Sequence, residues 1–318
     1  MKDLPRPETL VPLVVGGLAA LAASLAVWTW IVRRAVRSEP IVPYQPRRPV
    51  PWQGIDLVLV VFFFFIALSA IVDLDRRLFV GNAPAGRRPA QTDGPAQLAK
   101  PTTEHALLVL LQEDRRLTTL AWCILVAVVV APIAEEVFFR LLVQGWLEAV
   151  ERRWRRHFRF SRGAFRGAFP VLASSLAFAL THCREPETPP GPEVILHALL
   201  CQMFANLATL GFALALVRTR AGATPVDLGF CRKELARDMG LGLGAALAIV
   251  PWIYPINLLL TQLLPEGVPA DPYTLVLFAV VLGLLYYRTH RIVPSIVLHM
   301  ALNATSLALA WSVLGPAT

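Results

Sequence analysis

The sequence is poor in charge. Of its 318 residues only 16% are Asp, Glu, Lys or Arg, against 56% that are hydrophobic. A soluble domain carries about a quarter charged residues, so the deficit points to lipid as the chain's solvent, as does a mean hydropathy of +0.56. Cysteine is also scarce and unpatterned. Cys123, Cys183, Cys201 and Cys231 form no C-x-x-C pair, which argues against a disulfide framework and a structural zinc site. Cys123 and Cys201 read as small buried apolar residues. No short-period repeat, coiled-coil heptad or low-complexity tract occurs, and there is no H-E-x-x-H, so the usual metalloprotease helix is absent. The formal net charge of +8 does not point to nucleic acid, because no basic and aromatic stripe lies outside the loops between apolar runs.

What is present is a succession of eight apolar stretches, at about 11–32, 54–73, 118–147, 168–182, 194–217, 239–264, 273–287 and 292–314. A membrane helix takes about 20 apolar residues, so the fourth and seventh are short. The first is too long for a signal peptide, and Arg33, Arg34 and Arg37 follow it like the flank of a retained anchor. Open sheet edges are excluded from hydrocarbon. The expected fold is therefore all-α, a polytopic membrane protein of about eight transmembrane helices. A two-span region with a long polar loop (1–117) would precede a core at 118–318. The loop itself, 74–117, is rich in Pro, Gly, Asn and Gln and reads as flexible.

Charge placement orients these spans. Segments 33–50, 148–167, 218–238 and 288–291 hold five, seven, five and two Lys or Arg. Their counterparts 183–193 and 265–272 hold one and none, with Glu185, Glu187, Glu193, Glu266 and Asp271 instead. Basic loops face the cytoplasm, so both termini are expected on the non-cytoplasmic side of the inner (plasma) membrane. The arginines at 152–166 read as a loop touching lipid headgroups. Pro251 and Pro255 are expected to kink their helix, and Phe62 to Phe65 read as a lipid- or helix-facing run.

Against this apolar background a few polar residues need explaining. The third stretch contains Glu135, Glu136 and Arg140, and a charge at a helix centre costs about 2.5–3.5 kcal/mol on insertion scales. Glu136 and Arg140 are four apart and share a helix face. Glu135 is rotated about 100° away and has no partner at that spacing. The fourth stretch ends in Phe178-x-x-x-His182, and the eighth holds His299-x-x-x-Asn303. A lone histidine in an apolar helix is usually a hydrogen-bonded packing residue. Two of them with an asparagine and an unpaired glutamate point to a site. Measured from the basic end of each helix at ~1.5 Å per residue, Glu135, His182, His299 and Asn303 lie roughly 20, 21, 12 and 18 Å deep. They occupy one layer.

A carboxylate and a histidine on neighbouring helices can draw a proton from a shared water and so make a nucleophile for a carbonyl carbon. A histidine with an asparagine amide can donate hydrogen bonds to the oxyanion that develops. Arg140 would hold Glu136 ionised. This set needs no serine or cysteine nucleophile. Glu135, His182 and His299 could instead hold a zinc ion that activates the water, and the sequence leaves both routes open.

The three motifs Glu135-Glu136-x-x-x-Arg140, Phe178-x-x-x-His182 and His299-x-x-x-Asn303, with Gln144-Gly145-Trp146 and the run from Leu285 to His299 around them, resemble the CAAX protease and bacteriocin-processing family. That group of intramembrane endopeptidases includes the type II CAAX prenyl endopeptidase. The resemblance covers roughly 118–182 and 273–310. It implies that Glu135 and His182 activate the water, that His299 and Asn303 form the oxyanion site, and that Glu136, Arg140 and Phe178 support them. The implied partners are membrane lipid and a peptide or lipidated protein substrate. In most relatives a short connection joins the second and third motifs. Here a stretch at about 193–268 reads as a two-span insertion, including Thr224 to Phe230 and a Gly-rich run. A non-catalytic scaffold or bacteriocin-immunity-type protein of the same fold is the alternative. A transporter would call for inverted repeats, and none is visible.

Overall fold

A computed structural model describes residues 7–80, 106–157, 166–183, 191–265 and 268–314. Glu185, Glu187, Glu266, Arg159 and Arg162 lie outside these residues, as does most of the expected 74–117 loop. The described residues are overwhelmingly helical, with no strand among them. The elements are α1 (Pro7–Val36), α2 (Gly54–Asp75), α3 (Ala106–Glu113), α4 (Leu117–Cys123), α5 (Ala131–Glu136), α6 (Gly145–His157), α7 (Ala168–Leu180), α8 (Pro192–Thr219), α9 (Leu235–Leu263), α10 (Asp271–Thr289) and α11 (Val293–Leu314). Two π-helical segments, Ile124–Val130 and Val137–Gln144, join α4, α5 and α6 into one rod. The protein is an integral membrane protein: seven described helical runs are long and apolar enough to cross a bilayer. Only α7 is short. Its 13 residues reach about 20 Å, less than the ~30 Å of hydrocarbon.

One expected loop is in part a helix. Val109, Leu110 and Leu111 of α3 are buried against Cys123, Val128, Ile195 and Leu307. An eight-residue helix is too short to show a period, and the charged and proline-rich residues around it hide its apolar core.

The α4–α6 rod, α7, α10 and α11 form the centre, with α9 against α11, α1 outside α9, and α2 on α8. Lipid tails are as apolar as leucine, so close backbone packing rather than the hydrophobic effect joins such helices. Gly242 of α9 shows it: a Cβ there would come within 2.7 Å of Val297 Cβ and 2.8 Å of the Pro294 carbonyl on α11. α9 runs continuously through Pro251 and Pro255, but the turn before Pro251 carries the docking of α1. The Ala248 carbonyl, three residues before that proline, accepts hydrogen bonds from Ser24 Oγ (3.0 Å) and Trp28 Nε1 (2.9 Å). Trp252 Nε1 closes the cluster by donating to Ser24 Oγ at 2.8 Å.

The segment between α1 and α2 is a strap across the basic end of the bundle. Gln45 N–H donates to the Arg288 carbonyl at the end of α10, and Trp52 Nε1 to the Leu142 carbonyl at 3.1 Å. Arg47 Nη1 donates to the Tyr286 hydroxyl at 2.5 Å, and its Nη2 to the Asp227 carbonyl. Arg48 pairs with the Asp227 carboxylate. The Arg48 hydrogen bond, aided by Thr224, holds that carboxyl well below the usual range, and Asp227 in turn raises the Arg48 guanidinium.

Candidate active site

The local backbone is set by Pro132. Ala131 N–H reaches five residues back to the Val126 carbonyl, the π spacing found at many functional sites. The same register would pair the Ala127 carbonyl with residue 132, a proline without an N–H. Asn303 Nδ2 fills the vacancy, donating to Ala127 O at 2.7 Å. The amide has a second N–H.

Glu135, Glu136 and His299 meet just beyond this point. Glu136 is wholly buried. Its Oε1 lies 3.0 Å from His299 Nδ1 and its Oε2 3.3 Å from Arg140 Nε. That ion pair lies off the hydrogen-bond line, since neither atom has a hydrogen-bond partner. Arg140, also wholly buried, donates from Nη1 to Ser174 Oγ at 3.3 Å. Its guanidinium lies 5.3 Å from the centre of the Phe178 ring. Phe178 is the hub of the aromatic packing, tilted against His182 at 4.6 Å and edge-on to His299 at 5.6 Å. Phe278 closes the other side of His299 at 5.6 Å. The histidine ring is gripped.

His182 caps the end of α7. Its Nδ1 lies 2.9 Å from the Phe178 carbonyl, and a carbonyl can only accept, so Nδ1 carries the proton. The same reasoning puts the His299 Nδ1 proton on the Glu136 bond. Each ring thus turns Nε2 towards Glu135, whose Oε2 stands 3.9 Å from His182 Nε2 and 3.7 Å from His299 Nε2. These gaps are too wide for direct hydrogen bonds and fit a bridging water. Glu135 and His182 are also the open part of the site, with side chains 27% and 35% exposed.

The structure therefore brings Glu135, His182 and His299 around one space, with Glu136, Arg140 and Phe178 behind them. Asn303, one turn beyond His299, shows no hydrogen bond to the others and holds a backbone carbonyl instead. Among the described residues no three His, Cys, Asp or Glu side chains are gathered closely enough to hold a metal ion, so the three candidate zinc donors do not form a ready ligand set.

The sequence reading missed a continuation. Glu136, Arg140, Gln144, Glu148 and Arg152 form an i, i+4 series along the rod. In a pure α-helix each such step overshoots a full turn by about 40°, and the ends would face apart. The wider π turns at Val137–Gln144 rotate each residue less, which helps keep the series on one side. Gln144 donates to the Gly283 carbonyl at 2.9 Å and to Glu148 Oε1 at 3.3 Å, and accepts from Ser174 Oγ at 3.2 Å. Gly283 makes that approach possible, because a Cβ there would lie 3.0 Å from Gln144 Oε1. The repeat of polar residues every four positions was the available signal.

A family model, Type II CAAX prenyl endopeptidase Rce1-like, matches residues 117–226 and 239–305. The matched stretch takes in the α4–α6 rod, α7, α8, most of α9, α10 and the part of α11 bearing His299 and Asn303. No curated protein and no solved structure matches the chain.

Proposed function

Because the chain belongs to the Rce1-like family of type II CAAX prenyl endopeptidases, we propose that it is an intramembrane endopeptidase hydrolysing a peptide bond of a membrane-associated or lipidated substrate. The observation that carries this reading is the position of Glu135 Oε2 between the two Nε2 atoms, 3.9 and 3.7 Å away. A water held by Glu135 and His182 gives up a proton as its oxygen attacks the scissile carbonyl carbon. The C–N bond then breaks and the amine leaves with that proton.

Asn303 has one amide N–H left for the oxyanion. His299 can donate to it only from Nε2, which requires both ring nitrogens to carry protons. Glu136 and Glu135 are the acceptors that such a ring faces. Glu136 and Arg140 orient His299 without touching the substrate. The basic strap and α6 mark the cytoplasmic side in this reading, and the open edge of the site is at Glu135 and His182.

The test is cleavage of a farnesylated CAAX-type peptide by the purified full chain, compared with Glu135→Gln. A general base is worth about 10²–10⁴-fold, so the variant should lose at least two orders of magnitude in kcat while unfolding at the same temperature. Equal turnover by both proteins sinks the reading. A folded wild type without cleavage favours the non-catalytic scaffold.

A further inference from the structure

His290 ends α10 with a backbone φ of 50°. That left-handed position is one that glycine or asparagine fills at less cost. The side chain is nonetheless buried, 5% exposed, and both ring nitrogens are engaged. Nδ1 donates to the Gln45 carbonyl of the strap at 2.7 Å, and Nε2 lies 3.0 Å from Glu148 Oε2. A backbone that would prefer glycine instead carries a ring held at both ends.

Glu148 is also the outermost carboxylate of the polar series, with only Arg152 beyond it at 3.9 Å. From it the contacts run to Gln144 (3.3 Å), Ser174 (3.2 Å), Arg140 (3.3 Å), Glu136 (3.3 Å) and His299 (3.0 Å). Gln144, Ser174, Arg140 and Glu136 are wholly buried. Arg140 keeps its proton and Gln144 has none to pass, so the series does not conduct protons. What it can transmit is position.

We propose that His290 is a positioning residue: with Glu148 it anchors the outer end of this buried series, whose inner end orients His299. Its effect on turnover rests on the endopeptidase reading; its effect on the His299 ring does not. The strap thereby joins the same series through Gln45.

The chain has six histidines, few enough to resolve by ¹⁵N-histidine NMR of the full-length protein in detergent, with His299 assigned from a His299→Gln variant. His290→Gly suits the left-handed backbone and removes only the ring. It should shift the His299 Nδ1–H signal and lower kcat on the farnesylated peptide at least tenfold, by more than any loss of thermal stability explains, with KM within twofold. Added imidazole should restore part of that loss. Glu148→Gln keeps the His290 ring and should shift the same signal, so the test survives if the glycine variant fails to fold. An unshifted His299 signal in the folded variants overturns the proposal. So does a kcat that falls only in step with thermal stability. If the wild type cleaves no peptide, the proposed function fails and the His299 signal alone decides this inference.

Discussion

His299 Nδ1 donates across 3.0 Å to Glu136 Oε1, and the carboxylate that receives the bond is fully buried, with Arg140 on its other oxygen. Burying both charges is costly, and the arrangement holds because each ion has further partners. Glu136 has His299; Arg140 has Ser174 and the face of Phe178. Removing one member strands the other. Arg140→Met should therefore lower stability by about 3–5 kcal/mol, read by thermal unfolding in detergent. Glu136→Leu combined with Arg140→Met should recover most of that loss, and a double variant as unstable as the single one would contradict this account.

Phe178 carries a different kind of load. Its ring touches His182, His299, Phe139 and the Arg140 guanidinium. Leucine would keep the apolar character but lose the ring contacts. Aromatic pairs and buried cation–π contacts support an expected loss of about 1–3 kcal/mol for Phe178→Leu. Because both histidines lose a wall, kcat should fall more than the stability change alone explains. Turnover corrected for folded fraction, measured beside a lipid-facing control such as Leu172→Ala, distinguishes the two.

The layer holding Glu135, His182 and His299 was legible because lipid makes buried polar residues conspicuous, and counting along each helix gives their depth. The helices themselves were legible for the same reason. What the pattern could not show is what depends on the folded backbone. Asn303 looks like a free amide in the sequence, yet it is partly committed to Ala127. That vacancy exists only because the π register meets Pro132. His290 reads as one residue of a basic loop until the strap brings Gln45 to it. Gln144 and Glu148 stood in plain view at four-residue spacing, hidden by their place where the apolar run gives way to charge.

The strap makes a prediction about pH. Arg48 holds the Asp227 carboxyl below its usual range, so the folded state binds that proton more weakly than the unfolded chain. The resulting stability is fully present above the ordinary aspartate pKa of about 3.9. It fades as pH falls below that value towards the folded pKa, because the unfolded state takes up the proton first. Wild type should thus lose part of its advantage over Asp227→Asn as pH is lowered from 6 to 3. Equal differences in unfolding temperature at both ends of that range would count against the Arg48–Asp227 pair as a stabilising contact.

The Asn303–Ala127 bond gives the sharpest test of the backbone argument. If Asn303 satisfies a carbonyl that Pro132 leaves without a donor, Asn303→Ala strands a part-buried acceptor at a cost of about 1 kcal/mol, the lower end of the range for a lost partner. Pro132→Ala restores an N–H within the helix, and Ala127 can then find its partner locally. Asn303→Ala should consequently cost much less in the Pro132→Ala background than in the wild type. A double-mutant cycle by thermal unfolding measures the difference directly. A coupling energy of zero would mean that the asparagine and the proline act independently. The same variants separate stability from chemistry: if Asn303 also donates its second N–H to the oxyanion, Pro132→Ala/Asn303→Ala should regain stability but not kcat.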